Sequence, residues 1–346
     1  MQATINDVAH AAGVSKGTVS KYLNGAHYVS VETAAKIAEA IKALNYAPNR
    51  VAQGLSLRRS HTIGLVVANI ANPFYSELIR AAEEVAAAKG YTLLLASTDG
   101  DPKRESGIVK AMRQRQVDGL VFASVRLADK EVTALVRDGM RVVLASRHLP
   151  NADVDMVLVD SVRGGRLAVE HLINHGHKRI AYIGGPQSIA QFQERLQGWR
   201  EALEAAGLPA PDEICISTQW LDIEAGAGAA RQLLDLAEPP TSVFAATDNL
   251  AFGVLKACDQ RKCVVPRDLA IVGFDNVPFG EIAMVPLTSV DGSGMTIGQR
   301  AMRLMIERIE TDADPRSKSQ DHVRIVIQPT LRIRKSCGCL SSAEDM

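Results

Sequence analysis

The fold class the sequence predicts is α/β: an N-terminal all-α head followed by a core of two lobes, each built on a parallel sheet. Three observations carry this. The first 60 residues hold three short helical patterns with capping residues and no strand pattern. From Thr62 onward, short β-branched runs alternate with amphipathic helical stretches, in two successive series. Charge is segregated as well. Residues 1–60 carry seven Lys/Arg against three acids, a net +4, which leaves −4 on the rest of a formally neutral chain.

In the head, Thr4 and Asp7 make an S/T-x-x-D capping pair that starts a helix at Ile5, with Val8, Ala9 and Ala12 as its apolar face. Gly13 accommodates the left-handed backbone that ends it. Ser15 is the N-cap of a second helix with Val19, Tyr22 and Leu23 on its inner side, and Asn24-Gly25 closes that helix. Ser30 caps a third helix, whose apolar positions are Ala34, Ile37, Ala38, Ile41 and Leu44. Two short helices, a tight turn and a third helix behind them make a helix-turn-helix, whose second helix fits the major groove of DNA. Lys16, Gly17 and Lys21 fall on the outer face of that second helix, and a basic head on a neutral chain suits a polyanion.

Pro48 interrupts the helical pattern. Residues 50–57 have a helical tendency that Gly54 weakens by about 1 kcal/mol relative to Ala, so this segment is expected to order only against a partner.

In the core, strands are expected at Ile63–Ala68, Tyr91–Ala96, Gly119–Ala123, Arg141–Ala145 and Val157–Val159. A second series falls at Arg179–Ile183, Ile214–Ser217, Ser242–Ala246 and Leu269–Phe274. Helices are expected between them at 75–89, 103–115, 129–138, 163–175, 194–206, 223–236 and 249–260. This alternation gives two Rossmann-like lobes, and ligands of such sheets bind beyond the carboxyl ends of the strands, here between the lobes. A late helix (295–310) and strand (323–328) are expected to return to the lobes.

Composition narrows the function classes. With 346 residues and 47% hydrophobic content the chain can bury more than one core. No apolar run approaches the roughly 18 residues a membrane span needs, and the start lacks a signal-peptide pattern, so a cytoplasmic protein without membrane contact is expected. The five cysteines (215, 258, 263, 337 and 339) are odd in number and scattered, as reduced thiols are. Cys337-Gly338-Cys339 is the one close pair; a C-x-C with no second pair reads as an ordinary exposed tail, its role open. His171, His175 and His177 lie close together but lack an acidic ligand at a clear spacing, so a structural role is expected. No metal site and no cofactor is called. Gly226-Ala227-Gly228 resembles a dinucleotide loop only in part, since the third glycine is missing and the stretch lies mid-helix.

Taken together, Thr4-Ile-Asn-Asp-Val-Ala, Ala12-Gly-Val-Ser and Thr18-Val-Ser in the head, then Leu44-Asn-Tyr-Ala-Pro-Asn, Asn72-Pro-Phe-Tyr, Val117-Asp-Gly, Gly176-His-Lys-Arg-Ile-Ala, Glu194-Arg-Leu-Gln-Gly, Pro240-Thr-Ser-Val-Phe-Ala, Val272-Gly-Phe-Asp and Pro286-Leu-Thr-Ser-Val, form an ordered series. The chain resembles the lactose/galactose repressor (LacI/GalR) family of bacterial transcription regulators over nearly its whole length. The resemblance implies a DNA-binding head at 1–48, a hinge helix and linker at 49–61, and a type I periplasmic-binding-protein-like core at 62–336. Within that core the N-lobe takes about 62–160 and 292–321, the C-lobe about 161–291 and 322–336, and a tail occupies 337–346. The tail has no heptad repeat, so a homodimer is expected.

By the same resemblance, Lys16, Gly17 and Lys21 stand at base-reading positions. Lys21 replaces a more usual arginine and lacks its two-pronged fork. Ser15, Thr18, Ser20, Asn24 and Tyr46 stand at phosphate-holding positions. Asn49, Arg50, Gln53 and Leu55 belong to a minor-groove hinge, with Leu55 wedged between base steps. The implied partner is a double-stranded, pseudo-palindromic operator.

The implied effector cleft is lined by Phe74, Tyr75, Ser124, Arg147, Arg195, Trp220, Asp248 and Asp275. Carboxylates and guanidinium groups match sugar hydroxyls, and an aromatic face matches the apolar face of a sugar ring, so a sugar or sugar acid is the expected effector. Asp248 could instead be a helix N-cap, and Phe74 and Tyr75 simple core. A purine or nucleoside stacked on Trp220 is the runner-up. A sugar-processing enzyme and a transport-type sugar-binding protein are the rival classes, the latter opposed by the head and the missing signal peptide. The chain is expected to be a regulator with repression as the default, not an enzyme.

Overall fold

The computed structural model describes residues 3–23, 29–46, 59–127, 129–150, 152–311 and 321–339. Asn24, Gly25, Pro48, Asn49, Arg50, Gln53, Gly54 and Leu55, to which the sequence assigns roles, lie outside these residues, as does the tail beyond Cys339. The chain divides into two compact units, Met1–Ser60 and His61–Met346.

The first unit contains α1 (Ile5–Ala11), α2 (Lys16–Leu23) and α3 (Val31–Ala43). The capping pair forms in full. Asp7 N–H donates to the Thr4 hydroxyl, and Thr4 N–H donates to the Asp7 carboxylate at 2.8 Å. Gly13 takes φ +64° at the turn. The Ser15 and Ser30 hydroxyls accept from the N–H groups of Thr18 and Thr33. Val8, Ala9, Ala12, Val19, Ile37 and Ala40 make the small core, with Tyr22 and Leu23 packed against it. Ala38, expected inside, is exposed, and Ala40 takes its place on the inner face.

The second unit holds two six-stranded sheets. The first comprises β1 (Thr62–Val67), β2 (Thr92–Ser97), β3 (Gly119–Ala123), β4 (Val142–Ala145), β5 (Asp155–Val159) and β11 (Arg324–Ile327), in the order β11-β5-β4-β3-β1-β2, with all pairs parallel. Its faces follow the two-residue period of a strand. Leu65, Val67, Val121 and Val143 join one core, while Val66, Leu120, Phe122 and Leu144 join another. Helices α4 (Pro73–Ala88), α5 (Pro102–Gln114) and α6 (Lys130–Arg137) connect these strands.

The second sheet comprises β6 (Ile180–Gly184), β7 (Cys215–Ser217), β8 (Ser242–Ala245), β9 (Ala270–Phe274), β10 (Thr288–Asp291) and β12 (Thr330–Arg332), in the order β12-β10-β9-β8-β6-β7. Only β12 runs antiparallel to its neighbour. Helices α7 (Ser161–Asn174), α8 (Ala190–Ala205), α9 (Ile223–Leu234), α10 (Asp248–Arg261) and the short α11 (Phe279–Ile282) belong to this lobe. α12 (Gly294–Thr311) returns to the first lobe and packs on α4. The approach is close, since a Cβ at Gly298 would lie 2.2 Å from the Leu78 carbonyl oxygen. Gly226 has the same use on α9, where a Cβ would meet the Leu250 carbonyl of α10 at 2.3 Å, so this glycine serves helix packing.

Three elements differ from expectation. β10 and β12 are short strands that the pattern reading did not list, and α11 is a single turn. β11 pairs with β5, so Arg324–Ile327 belongs to the N-lobe sheet and the expected C-lobe segment 322–336 is divided. The chain therefore crosses between lobes three times, at 160, at 292–293 and at 328–329.

Candidate functional site

On α2, Val19 is fully buried, and Tyr22 and Leu23 pack inward. Helical spacing then turns Lys16, Gly17 and Lys21 outward, and all three are exposed. Ser15 is exposed and spends its hydroxyl on the cap, where it also lies 2.8 Å from the Thr18 hydroxyl. Thr18, Ser20 and Tyr46 are half-buried. The result is a short helix with two cations and an uncovered backbone at Gly17, narrow enough to enter a groove.

In the second unit, the residues expected at the cleft come from the carboxyl ends of strands, as an open α/β sheet dictates. Asp275 follows β9, Ser124 follows β3 and Arg147 follows β4, while Phe74 and Tyr75 open α4 and Arg195 lies on α8. Arg195 is fully buried. One of its Nη atoms donates to the Ala246 carbonyl and the other lies 3.7 Å from Asp275 Oδ1. Its guanidinium stacks 3.5 Å from the centre of the Phe274 ring. Burial raises the Asp275 carboxyl above the ordinary carboxylate range, against the opposing pull of Arg195. Asp275 also takes a φ of +112°, a strained backbone for any residue but glycine.

Phe74 meets Asp275 at the second crossing. A Cβ at Gly292 would lie 3.2 Å from Asp275 Oδ1 and 3.4 Å from the Phe74 ring. Phe74 and Tyr75 are buried, edge to face at 5.3 Å. On the N-lobe wall, Arg147 Nη1 donates to the Ser124 carbonyl at 3.1 Å, and the Ser124 hydroxyl donates to Glu105. His148, next to Arg147, reaches across to Glu194, next to Arg195, at 3.1 Å. A further bond between the walls runs from Leu127 N–H to the Ser188 carbonyl at 2.8 Å.

The structure thus brings Phe74, Tyr75, Ser124, Arg147, Arg195 and Asp275 together between the lobes. It does not bring Asp248 or Trp220 to them in a usable form. Asp248 is fully buried with both oxygens engaged: Ser289 Oγ donates to one at 2.6 Å and Val277 N–H to the other at 2.8 Å. Burial and Asp275 raise its pKa well above the usual value. Its role is to pin the 275–277 turn; Thr247, not Asp248, is the N-cap of α10. Trp220 is 61% exposed on a loop after β7, where its carbonyl accepts from Thr218 Oγ1 at 2.7 Å. A groove of about 680 Å³ opens nearby between Asn69, Ala71 and Pro73 on one side and Leu221, Ile223 and Phe279 on the other. None of the eight expected cleft residues lines it.

Pattern reading missed His148, Gln191, Glu194 and Glu105. The first and third are sequence neighbours of Arg147 and Arg195, which was the available signal. Gln191 lies one helical turn before Arg195, on the same face of α8. Arg147 Nε, His148 Nδ1, Gln191 Oε1 and Arg195 Nε are buried without a hydrogen-bond partner among the described residues. A buried polar atom left unpaired costs about 1–3 kcal/mol, and four such atoms lie on residues of this one cleft. Glu105 is buried as well, and desolvation together with Asp129 pushes its carboxyl up to about 7.

The histidine and cysteine expectations divide. His175 Nδ1 lies 2.7 Å from the His171 carbonyl and His177 Nδ1 lies 3.0 Å from Thr241 Oγ1, both local structural contacts. Cys337 is not on an exposed tail. It is 2% exposed, because residues 334–337 are stitched between β9 and β10. Among the described residues, no helix is long and apolar enough to cross a membrane.

Comparison with known proteins agrees with this architecture. The family model described as "Periplasmic binding proteins and sugar binding domain of LacI family" matches residues 60–335, and that described as "Bacterial regulatory proteins, lacI family" matches residues 4–49. The chain is 36% identical to the HTH-type transcriptional regulator DegA of Bacillus subtilis (strain 168), over 99% of this chain and 100% of that protein. It is 36% identical to the ribose operon repressor of Escherichia coli (strain K12), over 89% and 93% respectively. Among solved structures, a lac repressor dimer bound to operator and an anti-inducer matches with a TM-score of 0.85 at 25% identity, covering 97% of this chain and 99% of that one. With a two-lobed α/β core, a helix-turn-helix head and matches to both family models, the chain belongs to the LacI family of bacterial DNA-binding transcriptional regulators.

Proposed function

We propose that this chain is a transcriptional repressor that grips a pseudo-palindromic operator as a homodimer and is released or tightened by a sugar or sugar acid held between its lobes. The observation that carries the effector half is the set of unpartnered buried atoms on Arg147, His148, Gln191 and Arg195, beside the Asp275 carboxylate. Three of these offer N–H donors or a ring nitrogen and one an amide oxygen, a set that matches a polyhydroxylated ring. Phe74 offers the apolar surface for that ring. Similar proteins point the same way: one is titled a ribose operon repressor and another a transcriptional regulator CelR–cellobiose complex. A purine effector loses its expected platform, because Trp220 is exposed and outside this cluster.

The DNA half rests on the exposed face of α2. Lys16, Gly17 and Lys21 read bases, and Ser15, Thr18, Ser20, Asn24 and Tyr46 hold phosphates. Asn49, Arg50, Gln53 and Leu55 act at the minor groove. Lobe angle couples the two halves, with a reciprocal coupling of about 1–3 kcal/mol. Such a regulator works in the cytoplasm and turns nothing over.

A thermal-shift screen of the full chain against neutral sugars, sugar acids and nucleosides tests the reading. At a concentration one hundred times Kd, a true effector adds about 2.7 kcal/mol of stability. The shift is expected from a sugar or sugar acid and is expected to disappear in Asp275→Asn. An unchanged response in that variant removes the cleft assignment, and a response to nucleosides alone removes the effector class.

A further inference from the structure

We propose that Cys337, Cys339 and His171 form a Cys2His site for a thiophilic d10 cation, zinc(II) or copper(I), which clasps the 334–339 segment to α7. The ligand atoms of the three residues lie within 4.8 Å of one another. Cys337 Sγ is 2.8 Å from Cys339 Sγ, and Cys339 Sγ is 2.9 Å from His171 Nε2. The sulfurs are too far apart for the roughly 2.05 Å of a disulfide. Tetrahedral zinc, with Zn–S near 2.3 Å and Zn–N near 2.0 Å, needs sulfurs about 3.7 Å apart, so the thiols have to part by roughly an ångström. Gly338, at φ +82°, is the turn that brings both sulfurs to one side, and Cys339 is half-buried, which leaves an entry path.

The surroundings of these residues suit ligation. Thr288 Oγ1 accepts from Arg334 N–H at 2.9 Å, so its own proton is free for Cys337 Sγ at 3.1 Å. That hydroxyl orients the Cys337 sulfur as an outer partner orients a ligand. Ser336 locks the frame. Its hydroxyl donates to the Ile271 carbonyl at 2.6 Å and accepts from Thr288 N–H at 2.8 Å. The His171 ring packs 4.5 Å from that of His175, whose Nδ1 contacts the His171 carbonyl, so the helical turn that presents Nε2 is fixed. Two thiolates and an imidazole select zinc(II) or copper(I) over the hard, oxygen-loving cations. Among the described residues the chain supplies three ligands, which leaves a fourth position to water or an external ligand.

The test uses the full-length, reduced protein after treatment with a chelator. It is titrated with zinc(II) against a chromophoric chelator, and anaerobically with copper(I) against a copper(I)-specific one; the two affinities tell the cations apart. Cobalt(II) substitution gives an independent reading through its thiolate charge-transfer absorption. One equivalent is expected to bind. His171→Gln and Cys339→Ser, both away from the deep core, are expected to weaken binding by roughly 100-fold or more and to lose the cobalt band, while circular dichroism stays native. Three results overturn the site: no stoichiometric binding by the reduced wild type, equal affinity in both folded variants, or a Cys337–Cys339 disulfide as the resting form that resists thiol reductants.

Discussion

The two regions proposed to carry this protein's recognition use cations in opposite ways. On α2, Lys16 and Lys21 stand in solvent on a helix held by a small apolar core. Between the lobes, Arg147 and Arg195 are buried with one nitrogen each unpaired, and their remaining bonds go to backbone carbonyls. Exposed cations contribute almost nothing to folding and are free to meet phosphates, whereas buried ones are part of the fold and are poised for one ligand. The same residue chemistry is therefore separable from stability in the head and inseparable from it in the cleft.

The largest expected effect tests the cleft side of this contrast. Asp275→Ala leaves the fully buried Arg195 guanidinium without its charge partner, and should cost about 3–5 kcal/mol of stability, read as a lower urea midpoint. A loss below about 1 kcal/mol would erase the distinction drawn above. Next in size, Lys16→Ala and Lys21→Ala should leave the unfolding free energy read from urea denaturation within about 0.5 kcal/mol of wild type. Each should weaken operator binding by about 1–3 kcal/mol if it reads a base, or lower the salt slope by about 0.9 if it holds a phosphate; fluorescence anisotropy at several salt concentrations separates the two. A smaller effect, about 1 kcal/mol and confined to the head, is expected from Thr4→Ala, which removes the capping pair with Asp7. Amide exchange should speed up in residues 5–11 and stay unchanged in the core.

A last test is a pH dependence. The Glu105 carboxyl is raised from 4.5 to about 7 in the folded chain, so folding takes up a proton between those values. Its contribution to stability is present in full below about 4.5 and is lost as the pH rises through about 7. Glu105→Gln keeps a polar partner for Ser124 without the charge, and should gain stability relative to wild type at pH 8 but not at pH 4.5. Parallel stability–pH curves for the two proteins would show that burial of Glu105 has no such consequence.

Legibility in the sequence followed the range of the interaction. The head was readable because its determinants are three or four residues apart: Thr4 with Asp7, Ser15 with Thr18, Ser30 with Thr33. The error there, Ala38 for Ala40, concerns two alanines two positions apart, each too weakly hydrophobic to mark the inner face. Strands of five or six residues were placed within about two residues, since both faces are apolar and Gly, Asn or Asp follows them. β10 and β12, at four and three residues, are too short for a periodic signal. β11 was assigned to the wrong lobe because strand membership depends on a partner 168 residues away, and periodicity says nothing of partners. The same limit applied to the sites. Arg195 and Asp275 were expected at the cleft through the family resemblance, from Glu194-Arg-Leu-Gln-Gly and Val272-Gly-Phe-Asp, but that Asp248 spends both oxygens on Ser289 and Val277 is a property of the folded chain. So is the meeting of Cys337 and Cys339 with His171.

One feature of the architecture bears on how a signal leaves the cleft. The lobes are tied by three short peptide bridges, at 160, 292–293 and 328–329. Three side-by-side ties forbid the free swivel that one would permit and leave mainly a jaw-like bend. Phe74 rests against Gly292 of the middle tie and Gly294 at the start of α12, and Asp275 meets the same face of Gly292. A molecule seated on this ring and carboxylate would press on the axle of the jaw, and a methyl group at 292 or 294 would crowd it, with contacts of 3.1–3.4 Å to Phe74 and Asp275.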